Sequence, residues 1–530
     1  MEKLTGIFSK IIACLVFFSF AVILGIIIIL DRSHLDWFNY RIAIRNVFLL
    51  VGWAVVFGFI FAFRGKLKPW AKKSGSLLQW KKTLLFCSVI LFIVEIIIVK
   101  AIHFQVGWDV YYMKDMAQQF LQGGLSSFYK DYMVTNPNNI FIFGLNVFFL
   151  WLGNLIHVDG YILFIIFGVL CTNISCYLVG VVTYRMTKKM LPAWIAYGIA
   201  VVLLGLSPWM SVPYTDTISL WISVLSIDIY FILKERMAHP AWMALLIFAL
   251  GGITYYLKPI NIFVGLSILI VEIIHFTKEK FQLKKILVCI LVAVVSLFCV
   301  KGFQQLVWTG LDYTPDSRYE KPMVYYLMLG NDPLLGGVYN TVDDDYISGF
   351  YSLEEKKEAS LSLLKTRMSQ MGVSGYLSLL VRKMDVDFNS GLFGWGKEAD
   401  FVYELYDTDS GFDHSIRNFY YVGQGSGVYS WLDQKELCFL EDGKNFQFLA
   451  VVTQGVWLFV LMMCLVFGIH GWKKTRKNPV EDVISVAVLG MILYLVLFET
   501  NARYLISMLP VFFVMAGVGC SKMIEKIVGE

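Results

Sequence analysis

"NIFIFGLNVFFLWLGNLI", residues 139–156, decides how this chain crosses a membrane. It carries no charged residue and approaches the roughly 20 apolar residues that a bilayer crossing needs. Were it to cross, the basic turns "YRMTKK" (184–189) and "KER" (234–236) would face outward. Short loops rich in Lys and Arg stay cytoplasmic instead. A segment that lies in the outer interface, or re-enters, is allowed where protein covers its backbone, and it leaves every basic cluster inside. We read 139–156 in this second way.

The other apolar runs fall at 11–30, 46–63, 83–103, 160–183, 191–209, 217–233, 241–257, 260–275, 286–304, 447–469, 481–498 and 504–520. The basic clusters "RGKLKPWAKK" (64–73) with Lys81 and Lys82, "KEKFQLKK" (278–285) and "KKTRK" (473–477) lie between them. The expectation is an all-α polytopic membrane protein of about twelve transmembrane helices, both termini cytoplasmic. Composition agrees: 58% of the 530 residues are hydrophobic and only 16% charged, where soluble domains carry about 25% charge. The first apolar run is too long for a signal peptide and lacks its cleavage site, so it is expected to stay as a helix. The net charge of +5 is accounted for by topology signals and implies no nucleic-acid partner. Of nine cysteines only Cys438 lies outside the apolar runs, which leaves no disulfide framework outside the membrane.

Four regions follow. Residues 1–82 supply two N-terminal helices and a basic loop, and 83–304 a transmembrane core with an outer loop at 104–159. Residues 305–446 form a long outer loop that must hold its own, mostly helical, structure, and 447–530 the last transmembrane helices. Within the long loop, "SLEEKKEASLSLLKTRMSQMG" (352–372) reads as a helix capped by Ser352 and stopped by Gly372. No internal repeat is evident, which weighs against inverted-repeat transporters.

This topology gathers the purposeful polar groups on one face. In "VGWDVYYMKDMAQQFLQGG" (106–124), Tyr112, Met116 and Phe120 recur at helical spacing with Ala117 and Leu121, an amphipathic surface helix that Asp109 begins. Asp109 reads as an N-terminal cap that can also accept a proton from a hydroxyl. Asp216 follows Pro213 and reads either as a cap or as a site carboxylate. Lys258, before Pro259, either snorkels or binds an anion; Arg503 either pairs with Glu499 at helical spacing or does the same. Arg367, Arg382 and Lys383 are the further outer-face cations. The triplet Asp343, Asp344, Asp345 is solvated charge or a hard-cation site, and Glu95, in mid-membrane, has no assigned role. The histidines show no metal-ligand spacing, and no Gly-rich phosphate loop lies on the cytoplasmic side.

A membrane helix followed by "WD", a Tyr, an Ala and a Gly, then "NPNN", "VVTYRMTKK", "LSPW", "VPYTD" and finally "ETNARYLISMLP" resembles the GT-C superfamily of glycosyltransferases. The similarity is strongest to the protein mannosyltransferase and aminoarabinose transferase branch and runs over 83–520. "MLGNDPLLGGVYN", "TRMSQMG", "VRKMD" and "FNSGLFGWG" further resemble Gram-positive members that act on cell-surface glycopolymers. The resemblance implies a GT-C-like bundle in a bacterial cell membrane. It also implies a polyprenyl-phosphate sugar donor, an acceptor that is a cell-surface glycan, lipid or protein, and transfer with inversion at an extracytoplasmic site. Asp109 would be the base and Asp216 a second catalytic carboxylate. Lys258 and Arg503 would hold phosphate, with Glu499, Tyr504, Lys383, Arg367, Trp108 and Tyr112 binding substrate. No cofactor is required by this pattern, and a divalent cation stays open. The other readings are a flippase or transporter of lipid-linked glycans, and a polymerase or ligase of surface polysaccharide.

Overall fold

The computed structural model describes residues 2–30, 42, 44–102, 104–106, 108–235, 251–252, 254, 257–276, 283–395, 402–405, 410–420, 445–473 and 478–528. Most of the expected segment at 241–257, Cys438 and most of the basic clusters at 278–285 and 473–477 lie outside these residues. Among the described residues, eight helices are long and apolar enough to cross a membrane: Thr5–Ile29, Leu77–Ile102, Pro137–Ile156, Gly160–Thr187, Thr215–Glu235, Phe446–Lys473, Pro479–Leu497 and Ala502–Val528. Asn46–Ala62 and Arg64–Trp70 form a further candidate bent by 67°.

Two of the expected runs are shaped by a proline. The run at 191–209 is helical only to Ala200; it then widens into a π turn, Val201–Gly205, and stops at Pro208. At the expected run 260–275 Pro259 opens a 3₁₀ turn, and the apolar helix Pro259–Ile274 follows the expected bounds while being too short to count among the eight. Proline removes a backbone donor and clashes with the preceding turn, which is why the first run stops at Pro208 and the second starts at Pro259.

The packing of Leu77–Ile102 against Gly160–Thr187 bears directly on residues 139–156. Tyr184 hydroxyl accepts from Gly75 N at 3.2 Å, and Trp80 Nε1 donates to Gly180 O at 3.3 Å. Asn173 Nδ2 donates to Ser88 O at 3.0 Å and to Glu95 Oε2 at 2.9 Å. Sequence numbers rise along one helix as they fall along the other, so the two are antiparallel. Where both helices cross a membrane, the chain between them returns to the side it left. Ile140–Ile156 folds back beside the first half of Gly160–Thr187, with Phe149 5.0 Å from Phe164 and 5.2 Å from Phe167. His157 in the left-handed conformation (φ 57°) ends the first helix, and Asp159 caps the second through Tyr161 N at 2.8 Å. A Cβ on Gly153 would stand 2.4 Å from Gly160 Cα, so this hairpin requires glycine against glycine.

The last helix, Leu509–Val528, is buried along most of its length inside the bundle. Water drives no helix association inside a bilayer, so close approach at small residues has to supply the packing. A Cβ on Gly519 would sit 2.0 Å from Met463 O, and one on Gly468 2.7 Å from Phe17 N. Exposed apolar side chains such as Phe48, Phe59, Phe86 and Phe298 face outward, as lipid-facing residues do. One end of the bundle carries the pairs Arg185–Asp228 (2.8 Å), Lys188–Glu235 (3.0 Å) and Lys189–Glu525 (3.3 Å).

The region 305–446 contributes Met323–Leu329, Thr341–Ser348 and the long helix Leu353–Phe388. The last begins with a capping box: Glu355 N donates to Ser352 Oγ at 3.2 Å, and Glu355 Oε2 accepts from Ser352 N at 3.0 Å. Gly372 (φ 58°) breaks it at the predicted stop, and a second helical stretch continues to Phe388. An antiparallel strand pair, Phe104–Val106 with Val402–Leu405, joins this region to the first outer loop. Apart from this short pair the described residues are helical or irregular, as the all-α expectation has it.

Candidate functional site

Asp109 stands in the first turn of the helix Trp108–Leu121, right after the strand pair. Among the described residues its oxygens meet side-chain hydroxyls and no backbone N–H. Tyr132 hydroxyl donates to Oδ1 at 2.5 Å, and Tyr214 hydroxyl lies 3.2 Å from Oδ2. Asn139 closes a ring: its Nδ2 donates to Tyr132 hydroxyl at 3.0 Å, and its Oδ1 is 2.9 Å from Tyr214 hydroxyl. Tyr214 has one proton, so it can serve Asp109 or Asn139 but not both at once. Burial and the nearby Asp109 charge push both phenols well above the ordinary tyrosine value. Both therefore stay protonated donors toward the carboxylate.

Local sequence explains the ring's placement. Pro137 starts the 3₁₀ turn Pro137–Asn139, where its fixed φ and missing N–H cost nothing, and Asn139 is buried at the turn's end. Tyr214 is held extended by a capping box with Thr217, whose hydroxyl also donates to Val212 O at 2.6 Å.

A cationic shelf adjoins the ring across Trp108 and Tyr214, whose rings meet edge to face with centroids 5.1 Å apart. Arg503 Cζ lies 3.8 Å above the Trp108 ring and 5.9 Å from that of Tyr214. Asp216, 2% exposed, pairs with Lys258 Nζ at 2.6 Å and has Arg503 Nε 3.6 Å away. Lys258 Nζ in turn sits 4.8 Å over the Tyr504 ring, and Tyr504 hydroxyl donates to Glu499 Oε1 at 2.8 Å. Burial draws the Lys258 ammonium below its usual range, and Asp216 opposes that shift. Lys258 and Arg503 both face Asp216, and the charges of both act on the Glu499 carboxyl as well. Trp108 Nε1 is buried with no hydrogen-bond partner among the described residues and adds a donor.

Six of the residues singled out in the sequence, Trp108, Asp109, Asp216, Lys258, Arg503 and Tyr504, thus touch one another directly or through Tyr214, with Glu499 bound to Tyr504. Tyr112 packs behind, its ring 5.3 Å from Tyr132. Arg503 faces Asp216, and its charge also acts on Glu499. Three other cations are engaged elsewhere. Arg367 makes a two-pronged contact with Asp343 (2.8 and 2.7 Å), and Arg382 donates to Pro333 O at 2.8 Å. Lys383 donates to Gly330 O at 2.8 Å and Phe498 O at 2.6 Å. Neither branch of the Asp343–Asp345 reading holds for its first two members: Asp344 binds Lys321, Tyr325 and Tyr339, as Asp343 binds Arg367. Among the described residues no group of three or more acidic, His or Cys side chains is placed to hold a metal ion. Tyr132, Asn139 and Tyr214 are the residues that sequence reading did not select. Asn139 and Tyr214 lie inside the motifs "NPNN" and "VPYTD", but a neutral amide and a phenol carry no local signal of chemistry.

Glu499 offers a pH test. Its burial raises the carboxyl above the 4.5 of an ordinary Glu, against the opposing Tyr504 hydrogen bond and Arg503 charge. The folded protein holds this proton more tightly than the unfolded chain, so its contribution to stability is present at low pH and lost as pH rises through the raised value. Glu499→Gln keeps the acceptor for Tyr504 without the charge. Its melting temperature is expected to exceed that of wild type by more at about pH 8 than at about pH 5. An equal difference at both pH values would refute this.

A family description reading "Conserved hypothetical integral membrane protein" matches residues 2–524. Neither the curated proteins nor the solved structures contain a match.

Proposed function

We propose that this chain, which belongs to the family of conserved hypothetical integral membrane proteins, is a GT-C-type glycosyltransferase. It would move a sugar from a polyprenyl-phosphate donor to a hydroxyl of a cell-envelope acceptor. The observation that carries the reading is the pairing of one half-buried carboxylate, Asp109, with the Arg503–Trp108–Lys258 shelf beside it. Transfer with inversion needs a base on one side of the anomeric carbon and cations on the other, where the phosphate leaves.

In this mechanism the acceptor hydroxyl takes the place of Tyr214 at Asp109 Oδ2, and the Tyr214 proton turns to Asn139 Oδ1, already 2.9 Å away. Asp109 removes the hydroxyl proton as the new C–O bond forms. The old bond between the anomeric carbon and the phosphate oxygen breaks, and its electron pair leaves with the polyprenyl phosphate. Arg503 offers a planar fork and Lys258 a point charge to the phosphate oxygens. Tyr132 holds Asp109 in place throughout.

The proposal extends to topology. About twelve crossings, with both termini and the basic turns cytoplasmic, would put this site on the extracytoplasmic face of a bacterial cell membrane. The site lies away from the Arg185 and Lys188 end of the bundle, as that arrangement requires.

The deciding measurement is mass analysis of surface glycans from a strain lacking the gene, with purified protein assayed for release of polyprenyl phosphate from a polyprenyl-phosphate sugar. A missing sugar together with release is the expected result. Movement of intact lipid-linked glycan without release would favour a flippase and reject the transferase.

A further inference from the structure

The motif "MLGNDPLLGGVYN" lies in the 305–446 region, yet its backbone wraps the turn that carries Glu499, Arg503 and Tyr504. Four hydrogen bonds make the contact. Asn331 Nδ2 donates to Leu497 O at 3.2 Å, and Thr500 N donates to Gly337 O at 2.8 Å. Lys383 Nζ supplies the other two, binding Gly330 O and Phe498 O together. The fit is close enough to demand glycine: a Cβ on Gly330 would stand 2.3 Å from Phe498 C and 2.8 Å from Glu499 N. Gly337 (φ 82°) turns the loop back so that its carbonyl meets Thr500.

Lys383 is 0% exposed and Asp387, one turn further along its helix, 1% exposed. A buried ammonium is costly unless its donors are satisfied. Here they are spent on two backbone carbonyls from segments far apart in sequence. From the other side, a Cβ built on Gly394 (φ 80°), in "FNSGLFGWG", would stand 3.9 Å from Arg503 N. Asn501 Oδ1 then caps the 3₁₀ helix Ala502–Met508 through Arg503 N at 3.0 Å.

We propose that Lys383 and the Gly330–Gly337 loop form a positioning clamp on Phe498–Thr500, so that the 305–446 region sets where Glu499 and Arg503 stand in the site. Lys383 is on this view a positioning residue and not a ligand of the substrate. The clamp itself stands on contacts alone; its effect on donor binding rests on the transferase reading.

The test uses full-length protein in lipid nanodiscs. Amide hydrogen exchange in the 497–504 segment is expected to quicken at least about tenfold in Lys383→Met and in Gly330→Ala, with Phe446–Lys473 unchanged. Lys356→Met is the control, because Lys356 is equally buried in the same region but serves Arg318 O and Glu320 O. It should leave 497–504 as in wild type. Unchanged exchange at 497–504 in both variants, equal acceleration across the bundle, or the same local effect from Lys356→Met would each overturn the clamp. Binding is read separately with a C55 polyprenyl phosphate and the matching polyprenol. Lys383→Met is expected to weaken the phosphate about tenfold and leave the alcohol unchanged, as small misplacements of a binding group do. Wild-type protein that binds both lipids alike would remove the transferase reading and leave the clamp standing on its exchange data.

Discussion

Asp109→Asn protein is expected to insert and melt like wild type but to turn over about 10²–10⁴-fold more slowly, the usual worth of a general base. The amide matches the carboxylate in shape. Its oxygen still accepts from Tyr132, which now lies 2.5 Å from Oδ1, and its nitrogen can donate to the Tyr214 oxygen. What it lacks is a basic lone pair for the acceptor proton. Initial rates of polyprenyl phosphate release from purified variant and wild type make the comparison, with melting curves to show that the fold is retained. Wild-type turnover by Asp109→Asn would reject Asp109 as the base. Loss of folding would instead give the ring Asp109–Tyr132–Asn139–Tyr214 a structural role.

The second large effect is expected at Asp216. This side chain is 2% exposed and pairs with Lys258 at 2.6 Å, with Arg503 at 3.6 Å. Asp216→Asn keeps the volume but leaves two cations near each other without their counter-charge. Removing one partner of a buried pair costs about 3–5 kcal/mol, because the remaining charge stays desolvated. A marked drop in melting temperature follows. An anion that binds the shelf should restore part of it: ligand at about 100 times its dissociation constant stabilises by about 2.7 kcal/mol. Melting of Asp216→Asn with and without polyprenyl phosphate measures both effects. A variant that melts like wild type would show that Asp216 does not neutralise the shelf.

The contrast between Lys258 and Lys383 shows how far residue chemistry alone reaches. Both are lysines of expected outer segments, and both were candidate phosphate ligands. Lys258 precedes a proline that breaks the helix, so its side chain emerges at a chain reversal, next to Asp216. Lys383 sits on a helix with nothing local to show that two distant carbonyls would absorb its donors. Arg503 is intermediate: its neighbour Glu499 is visible in sequence, but its stacking on Trp108, almost 400 residues earlier, is not.

Sequence by itself determined that the chain is a multi-pass membrane protein, where most of its long apolar helices lie, and where Ser352 starts and Gly372 breaks a helix. These follow from hydropathy, caps and backbone preference, which act over a few neighbouring residues. Tertiary structure alone decided that residues 139–156 fold back beside Gly160–Thr187, because that depends on the antiparallel packing of Leu77–Ile102. It alone joined Phe104–Val106 to Val402–Leu405, and it alone assembled Tyr132, Asn139 and Tyr214 around Asp109. A hydroxyl or an ammonium has many chemically equal partners along the chain, and only the packing of separate elements selects among them.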